Sequence, residues 1–124
     1  MSALHESNLT SLKFLHRGKV RDLYEVDADH LLIVQTDRLS AFDVILPTPI
    51  PGKGVILSLI STLWMRALAS ARPHHLLSDD PATFPEPFAA CADRLRGRAQ
   101  LVRRAQRIDV ECVVRGYLTG SGLR

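Results

Sequence analysis

The sequence predicts an α+β fold, an antiparallel sheet of about five or six strands packed on one long helix. Three observations lead there. The first 36 residues break into three strand-like runs separated by a glycine and an aspartate-rich turn. A single long helical stretch follows a proline-rich passage. Two further strand-like runs close the chain.

Taken in order, residues 11–17 alternate apolar and polar side chains, as a half-buried strand does. Gly18 interrupts the alternation and residues 20–26 resume it. Asp27-Ala28-Asp29 reads as a hairpin turn, because Asp side chains cap turns and tolerate unusual φ. Residues 30–36 form an apolar run expected to be covered on both faces. Residues 37–43 are a polar loop and 44–46 a short strand. Pro47, Pro49 and Pro51 exclude a central strand, since proline lacks the ladder donor.

Gly52-Lys53-Gly54 then turns the chain into a helix expected over 54–71, ended by Arg72-Pro73. Its polar residues Ser58, Thr62, Arg66 and Ser70 fall four apart, one narrow stripe on an apolar cylinder. That pattern predicts a mostly buried helix with Trp64 and Met65 in the core. A short strand over 74–78, a loop over 79–87, a short helix around 86–95 and strands over 98–104 and 110–116 complete the reading. The last two strands join near 107–109, and a glycine-rich turn follows at 120–122.

The 124 residues amount to one domain, 46% hydrophobic and 23% charged, which excludes a disordered tail. A domain of this size buries roughly two-thirds of its chain surface and needs no covalent staple. With only Cys91 and Cys112, neither a disulfide framework nor a cysteine-based zinc site is expected. The N-terminus lacks the basic and apolar regions of a secretory signal. The apolar stretch 55–71 is interrupted by Ser58, Ser61, Thr62, Arg66 and Ser70, so no membrane span is expected and a cytoplasmic location is.

Charge is unevenly placed. Residues 94–124 hold eight Arg against Asp109 and Glu111, a local +6, which leaves residues 1–93 at −3 within a total of +3. A basic end on an acidic body suits an anionic partner: nucleic acid, a phosphate ligand or an acidic segment. Composition alone favours the plainer reading, a set of solvated arginines.

Three phrases could carry chemistry. In Arg17-Gly18-Lys19-Val20-Arg21-Asp22, a glycine between strands admits close ligand approach. Lys19 and Arg21, two apart, share a strand face as a polyphosphate clamp would require; an exposed basic edge that discourages strand pairing is the plainer alternative. The spacing is neither a Walker A nor a G-x-G-x-x-G loop, and Gly52-Lys53 is followed by Gly54 and preceded by prolines. In the second phrase, Asp37, Arg38, Ser40 and Asp43 surround Phe42 and could hold a small polar substrate or make local turns and ion pairs. In the third, Glu111, Val113 and Arg115 fall on one face of the expected strand, and the Gly120-Ser121-Gly122 turn offers backbone N–H groups and a hydroxyl to an anion. An internal Glu–Arg pair and an ordinary turn would use the same residues. The five histidines form no convincing metal set, and no Ser-His-Asp or Cys-His arrangement is readable.

Together, residues 18–24 (GKVRDLY), 36–43 (TDRLSAFD) and 110–121 (VECVVRGYLTGS) resemble the SAICAR synthetase family, over about residues 12–122. The resemblance implies an enzyme that joins the carboxylate of CAIR to the amino group of L-aspartate with ATP and Mg²⁺, giving SAICAR, ADP and phosphate, through an acyl phosphate. It implies that Gly18, Lys19 and Arg21 cover the ATP phosphates, and that Arg103, Arg104 and Ala105 line the adenine pocket largely through backbone groups. Glu111 is implied as an orienting partner near the nucleotide, and Arg115 and Ser121 as the grip on the 5′-phosphate of CAIR. Asp37, Arg38, Ser40 and Asp43 match the substrate-side loop.

Family members are longer, and their later Asp-x-Lys-x-Glu type phrase, which supplies Mg²⁺ carboxylates and a catalytic Lys, is absent here. Asp109 stands where many relatives have Pro. The resemblance therefore implies that residues 1–124 are the N-terminal, nucleotide-binding part, inactive as a synthetase alone and prone to self-association. The basic clusters around Lys19 and Arg115 are expected to converge on one cleft. A non-catalytic ATP-binding fragment and a basic nucleic-acid-binding module are the competing readings. Tyr117, the only aromatic after Phe88, counts against the module, because nucleic-acid binders usually add stacking aromatics near the basic stripe.

Overall fold

The computed structural model describes residues 2–70 and 73–123. Strands β1 (Lys13–Arg17), β2 (Arg21–Glu25) and β3 (His30–Gln35) form the expected meander. The turn between β2 and β3 closes as its aspartates predict, with the Asp29 N–H donating to Asp27 Oδ1 at 2.8 Å. Strands β4 (Ser40–Ala41) and β5 (Val44–Ile45) make a small separate hairpin. Helix α1 (Lys53–Ala67), strand β6 (Leu76–Ser78), a short helix α2 (Ala92–Leu95) and strand β7 (Ala99–Arg103) follow. The main sheet has five antiparallel strands in the order β1-β2-β3-β7-β6.

The register places Asp22, Tyr24, Leu32 and Val34 on one sheet face and Arg21, Leu23, Ile33 and Gln35 on the other. The first face carries the core. Leu32 and Val34, fully buried, pack with Leu9, Leu12, Phe84, Phe88 and Leu95. Burying such a side chain is worth about 1.5–3 kcal/mol each. The N-terminal segment and the stretch through α2 are therefore the lid of this core, and α1 covers the opposite face.

Helix α1 packs with its polar stripe inward, which corrects the expected burial. Ser58 and Thr62 are buried, whereas Ile56, Leu59, Leu63 and Trp64 are exposed. The reason lies across the interface. Gln100 of β7 is buried and needs partners, and its Nε2 donates to Thr62 Oγ1 at 3.0 Å and to the Ser58 carbonyl at 3.4 Å. The helix approaches closely because Gly54 has no side chain: a Cβ there would sit 2.5 Å from the Gln35 carbonyl oxygen.

Other expectations need adjusting. Strand β1 is exposed along its whole length, as an edge strand. The short helix around 86–95 resolves into a 3₁₀ turn (Ala89–Cys91) running into α2. The helix ends at Ala67; the expected boundary at 71 and Arg72, like Arg124 at the chain end, lies outside the described residues. Residues 110–116 are not a strand. They are irregular and exposed and pair with no strand among the described residues. Glu111, Val113 and Arg115 consequently do not share a strand face. No helix among the described residues is long and apolar enough to cross a membrane.

Candidate nucleotide site

The β1–β2 turn, the loop after β3 and the first turn of α1 meet around a cavity of about 540 Å³. Gly18, Lys19, Arg21 and Ser40 line it, as does Lys53. Three of these side chains are cationic and no lining residue is acidic. Arg21 points there because its register puts it on the α1 face of β2, and Lys53 because it is the first residue of the helix. Burial holds the Lys53 ammonium below its ordinary pKa; Asp37 pulls it back up, and Arg21 and Arg38 push it further down. Like charges gathered in one recess are relieved by an anion, and charge-assisted hydrogen bonds to phosphate are the strong kind.

Lys19 Nζ lies 2.5 Å from Asp43 Oδ1 on the outer rim, both side chains exposed. Phe42 and Asp43 adopt φ of 49° and 64°, and this left-handed pair at the loop tip carries Asp43 towards Lys19. The hydrogen bond and the charge of the Lys19 ammonium hold the Asp43 pKa below its ordinary value.

The cavity continues along the seam between sheet and helix. Val20 and Arg21 also wall a second recess with Ile33, Gln35, His75 and Gln100, and Met65 and His75 are shared with a third that includes His74, Arg103 and Ala105. The β3–β7 register runs from Gln35 level to the His30–Arg103 pair, five residues along. At about 3.3 Å per residue that separation is about 17 Å. Burial lowers the His75 pKa, with His74 and Arg21 adding to the effect. Arg104 turns the other way: its N–H donates to the Asp29 carbonyl at 2.6 Å and its guanidinium lies 3.5 Å from Glu25.

Two residues of the second phrase lie behind the cavity wall. Asp37 is fully buried and accepts from the N–H groups of Leu4 (2.7 Å) and Gly54 (2.8 Å) and from Arg98 Nη1 (3.3 Å). Burial pushes its pKa up, but these donors outweigh it and hold the carboxyl low. A carboxylate on the first turn of α1 also complements the helix dipole. Arg38 is 2% exposed and spends its guanidinium on protein acceptors. Neither presents a polar group to a substrate; both build the frame.

The third phrase stands apart. Arg115 Nη2 donates to Ser121 Oγ at 2.9 Å, bringing these two together as the anion reading requires. Glu111, Arg115 and Ser121 are exposed and belong to none of the three recesses. The expected convergence of the Lys19 and Arg115 clusters is therefore absent from this structure, since residues 105–119 have no sheet partner to bring them over.

Lys53 and His75 escape the sequence reading. For Lys53 a signal existed: a proline run ending in Gly-Lys-Gly places a lysine at a helix start. His75 had none, since a recess between two elements is not a local property. Among the described residues no group of three or more His, Cys, Asp or Glu is arranged to hold a metal ion.

Comparison with known proteins gives a concordant result. The family model described as SAICAR synthetase matches residues 14–124. A phosphoribosylaminoimidazole-succinocarboxamide synthase of Thermodesulfovibrio yellowstonii is 54% identical over 117 residues, covering 94% of this chain and 40% of the relative. A solved structure named SAICAR synthase superposes with a TM-score of 0.85 at 38% identity, over 96% of this chain and 43% of the other. The Saccharomyces cerevisiae SAICAR-synthase complexed with SAICAR gives 0.81 at 40% identity, over 96% and 42%. The chain thus spans about two-fifths of the length of the curated relatives it matches.

Proposed function

The chain belongs to the SAICAR synthetase family, and on that premise we propose that it forms the N-terminal, ATP-holding part of a phosphoribosylaminoimidazole-succinocarboxamide synthase. That ligase joins CAIR and L-aspartate, consuming ATP and releasing SAICAR, ADP and phosphate. The observation that carries the reading is the groove: a three-cation recess at one end and a recess lined by Arg103 and Ala105 at the other, linked by shared lining residues along the α1 seam. A nucleoside triphosphate has the same polarity, with anionic oxygens at one end and a flat base at the other.

In this reading Lys19, Arg21 and Lys53 take the phosphates, with Gly18 beneath them. Phosphate oxygens compete with Asp43 for Lys19. The backbone of Arg103 and Ala105 borders the base. Arg115 and Ser121 receive the 5′-phosphate of CAIR, and Glu111 orients near the nucleotide, once residues 105–123 have a surface to lie on. Phosphoryl transfer to a carboxylate relies on positioning and charge neutralisation rather than on covalent help from the protein. The chain supplies the first of these and part of the second. Metal ligands are expected in the remainder of the longer relatives, so the isolated chain should bind ATP without turning it over.

Calorimetric titration of ATP into the 124-residue chain tests the reading. ATP should bind, adenosine should bind far less tightly, and Lys19→Ala and Lys53→Ala should each weaken ATP by about tenfold, the worth of a charge-assisted contact. Equal affinity for ATP and adenosine would contradict it. So would oligonucleotide binding of steep salt dependence that ATP does not compete away, the mark of a nucleic-acid module.

A further inference from the structure

Arg38 is buried, and its guanidinium serves the turn that carries Lys19. Its Nη2 donates to the Gly18 carbonyl at 2.9 Å and to the Arg21 carbonyl at 3.3 Å, and its Nε to the Lys19 carbonyl at 3.2 Å. Nη1 donates to the His5 carbonyl at 2.6 Å, and Nη2 also reaches Asp22 Oδ1 at 2.9 Å. Asp22, fully buried, is fixed in turn by the Ser7 N–H (2.9 Å) and hydroxyl (2.6 Å). The fourth carbonyl of the turn, that of Val20, accepts from Thr36 N–H at 3.0 Å and Thr36 Oγ1 at 2.8 Å. All four carbonyls from Gly18 to Arg21 are thereby held from the body of the protein.

A trans peptide sets its C=O and N–H in opposite directions. Drawing the Gly18 and Lys19 carbonyls inward turns the N–H groups of Lys19 and Val20 outward. Among the described residues neither N–H has a protein acceptor. Consecutive outward N–H groups form an anion-binding concavity of the nest type. Gly18, Lys19 and Val20 all line the cationic recess.

We propose that Arg38 is a positioning residue for the phosphate site: by gripping the inner carbonyls of the 18–21 turn it presents the Lys19 and Val20 amides to a phosphate group. The proposal rests on the phosphate reading of the recess. It assigns Arg38 no contact with ligand. It also requires an arginine, because a lysine ammonium cannot reach the same fork of acceptors from one planar group.

The test uses the ¹⁵N-labelled 124-residue chain and inorganic tripolyphosphate. In the wild type, the Lys19 and Val20 amide signals should shift on titration. The Arg38 guanidinium protons should exchange slowly with water, with and without the anion. Arg38→Lys should abolish the amide response and raise the dissociation constant by about tenfold, with the melting curve still cooperative. Lys19→Ala should weaken binding while leaving the backbone response of residue 20 in place. A wild type that binds neither tripolyphosphate nor ATP overturns the phosphate reading itself. A wild type that binds, with Arg38→Lys binding equally and shifting the same amides, overturns the role of Arg38 alone. Rapid exchange of the Arg38 guanidinium protons in the wild type also overturns it, whatever the variant does.

Discussion

The two basic phrases of this chain have similar compositions and opposite structural standing. Around Gly18–Arg21 every carbonyl is bonded to the body, the cations face a recess, and two buried carboxylates, Asp22 and Asp37, anchor the surroundings. Around Arg103–Ser121 the side chains beyond the sheet bond chiefly to one another, Arg107 to Asp109 at 2.7 Å and Arg115 to Ser121 at 2.9 Å. Positive charge becomes a site when a fold aims it, and only the first phrase is aimed by contacts this chain owns.

The sharpest way to break that contrast is to remove Asp22. Asp22→Ala should destabilise the chain by about 3–5 kcal/mol, because it leaves the buried Arg38 guanidinium without its counter-charge. Urea denaturation reads the loss, and a change under 1 kcal/mol would mean the turn is not anchored as described.

Acid titration sharpens the same point. Burial would raise Asp22, but the Ser7 hydroxyl, the Ser7 N–H and Arg38 outweigh it and hold its pKa below the ordinary carboxylate range; Asp37 is likewise held low. A depressed folded pKa contributes stability that is present above the unfolded value and lost as pH falls through the folded one. Stability should therefore decline as pH drops from about 4 downward, and Asp22→Asn should flatten part of that decline. An acid limb identical in wild type and variant would contradict the assignment.

At the other end of the scale, Arg115→Ala should change stability by less than about 0.5 kcal/mol and leave ATP affinity of the isolated chain untouched. A marked loss in either would show that residues 105–123 are integrated into the site in solution.

Much of the fold was readable. The β1–β3 meander, the aspartate turn, α1 and β7 follow from alternation, turn chemistry and helix signals, all local properties. The failures share a physical cause. Helix α1 is polar towards the sheet because Gln100, 38 residues beyond Thr62, demands hydrogen bonds there; an apolar majority suggests a buried cylinder but not which stripe faces in. Residues 110–116 have strand composition, but a strand needs a neighbour. At the recess, a turn flanked by cations makes Gly18, Lys19 and Arg21 candidates, with an exposed basic edge as the plainer alternative, and only the family resemblance gives them a role; Lys53 carries no such mark because its glycines match no known loop. Arg38 read as a substrate-side loop residue, because nothing in a sequence tells a guanidinium bonded to four carbonyls from one open to a ligand.

The most direct measurement is a map of amide shifts in the ¹⁵N-labelled chain as ATP is added. Shifts are expected at residues 18–21 and Lys53, continuing through His75 to Ala105 along the groove. Shifts confined to residues 107–121, or absent from the β1–β2 turn, would contradict the nucleotide reading of the groove.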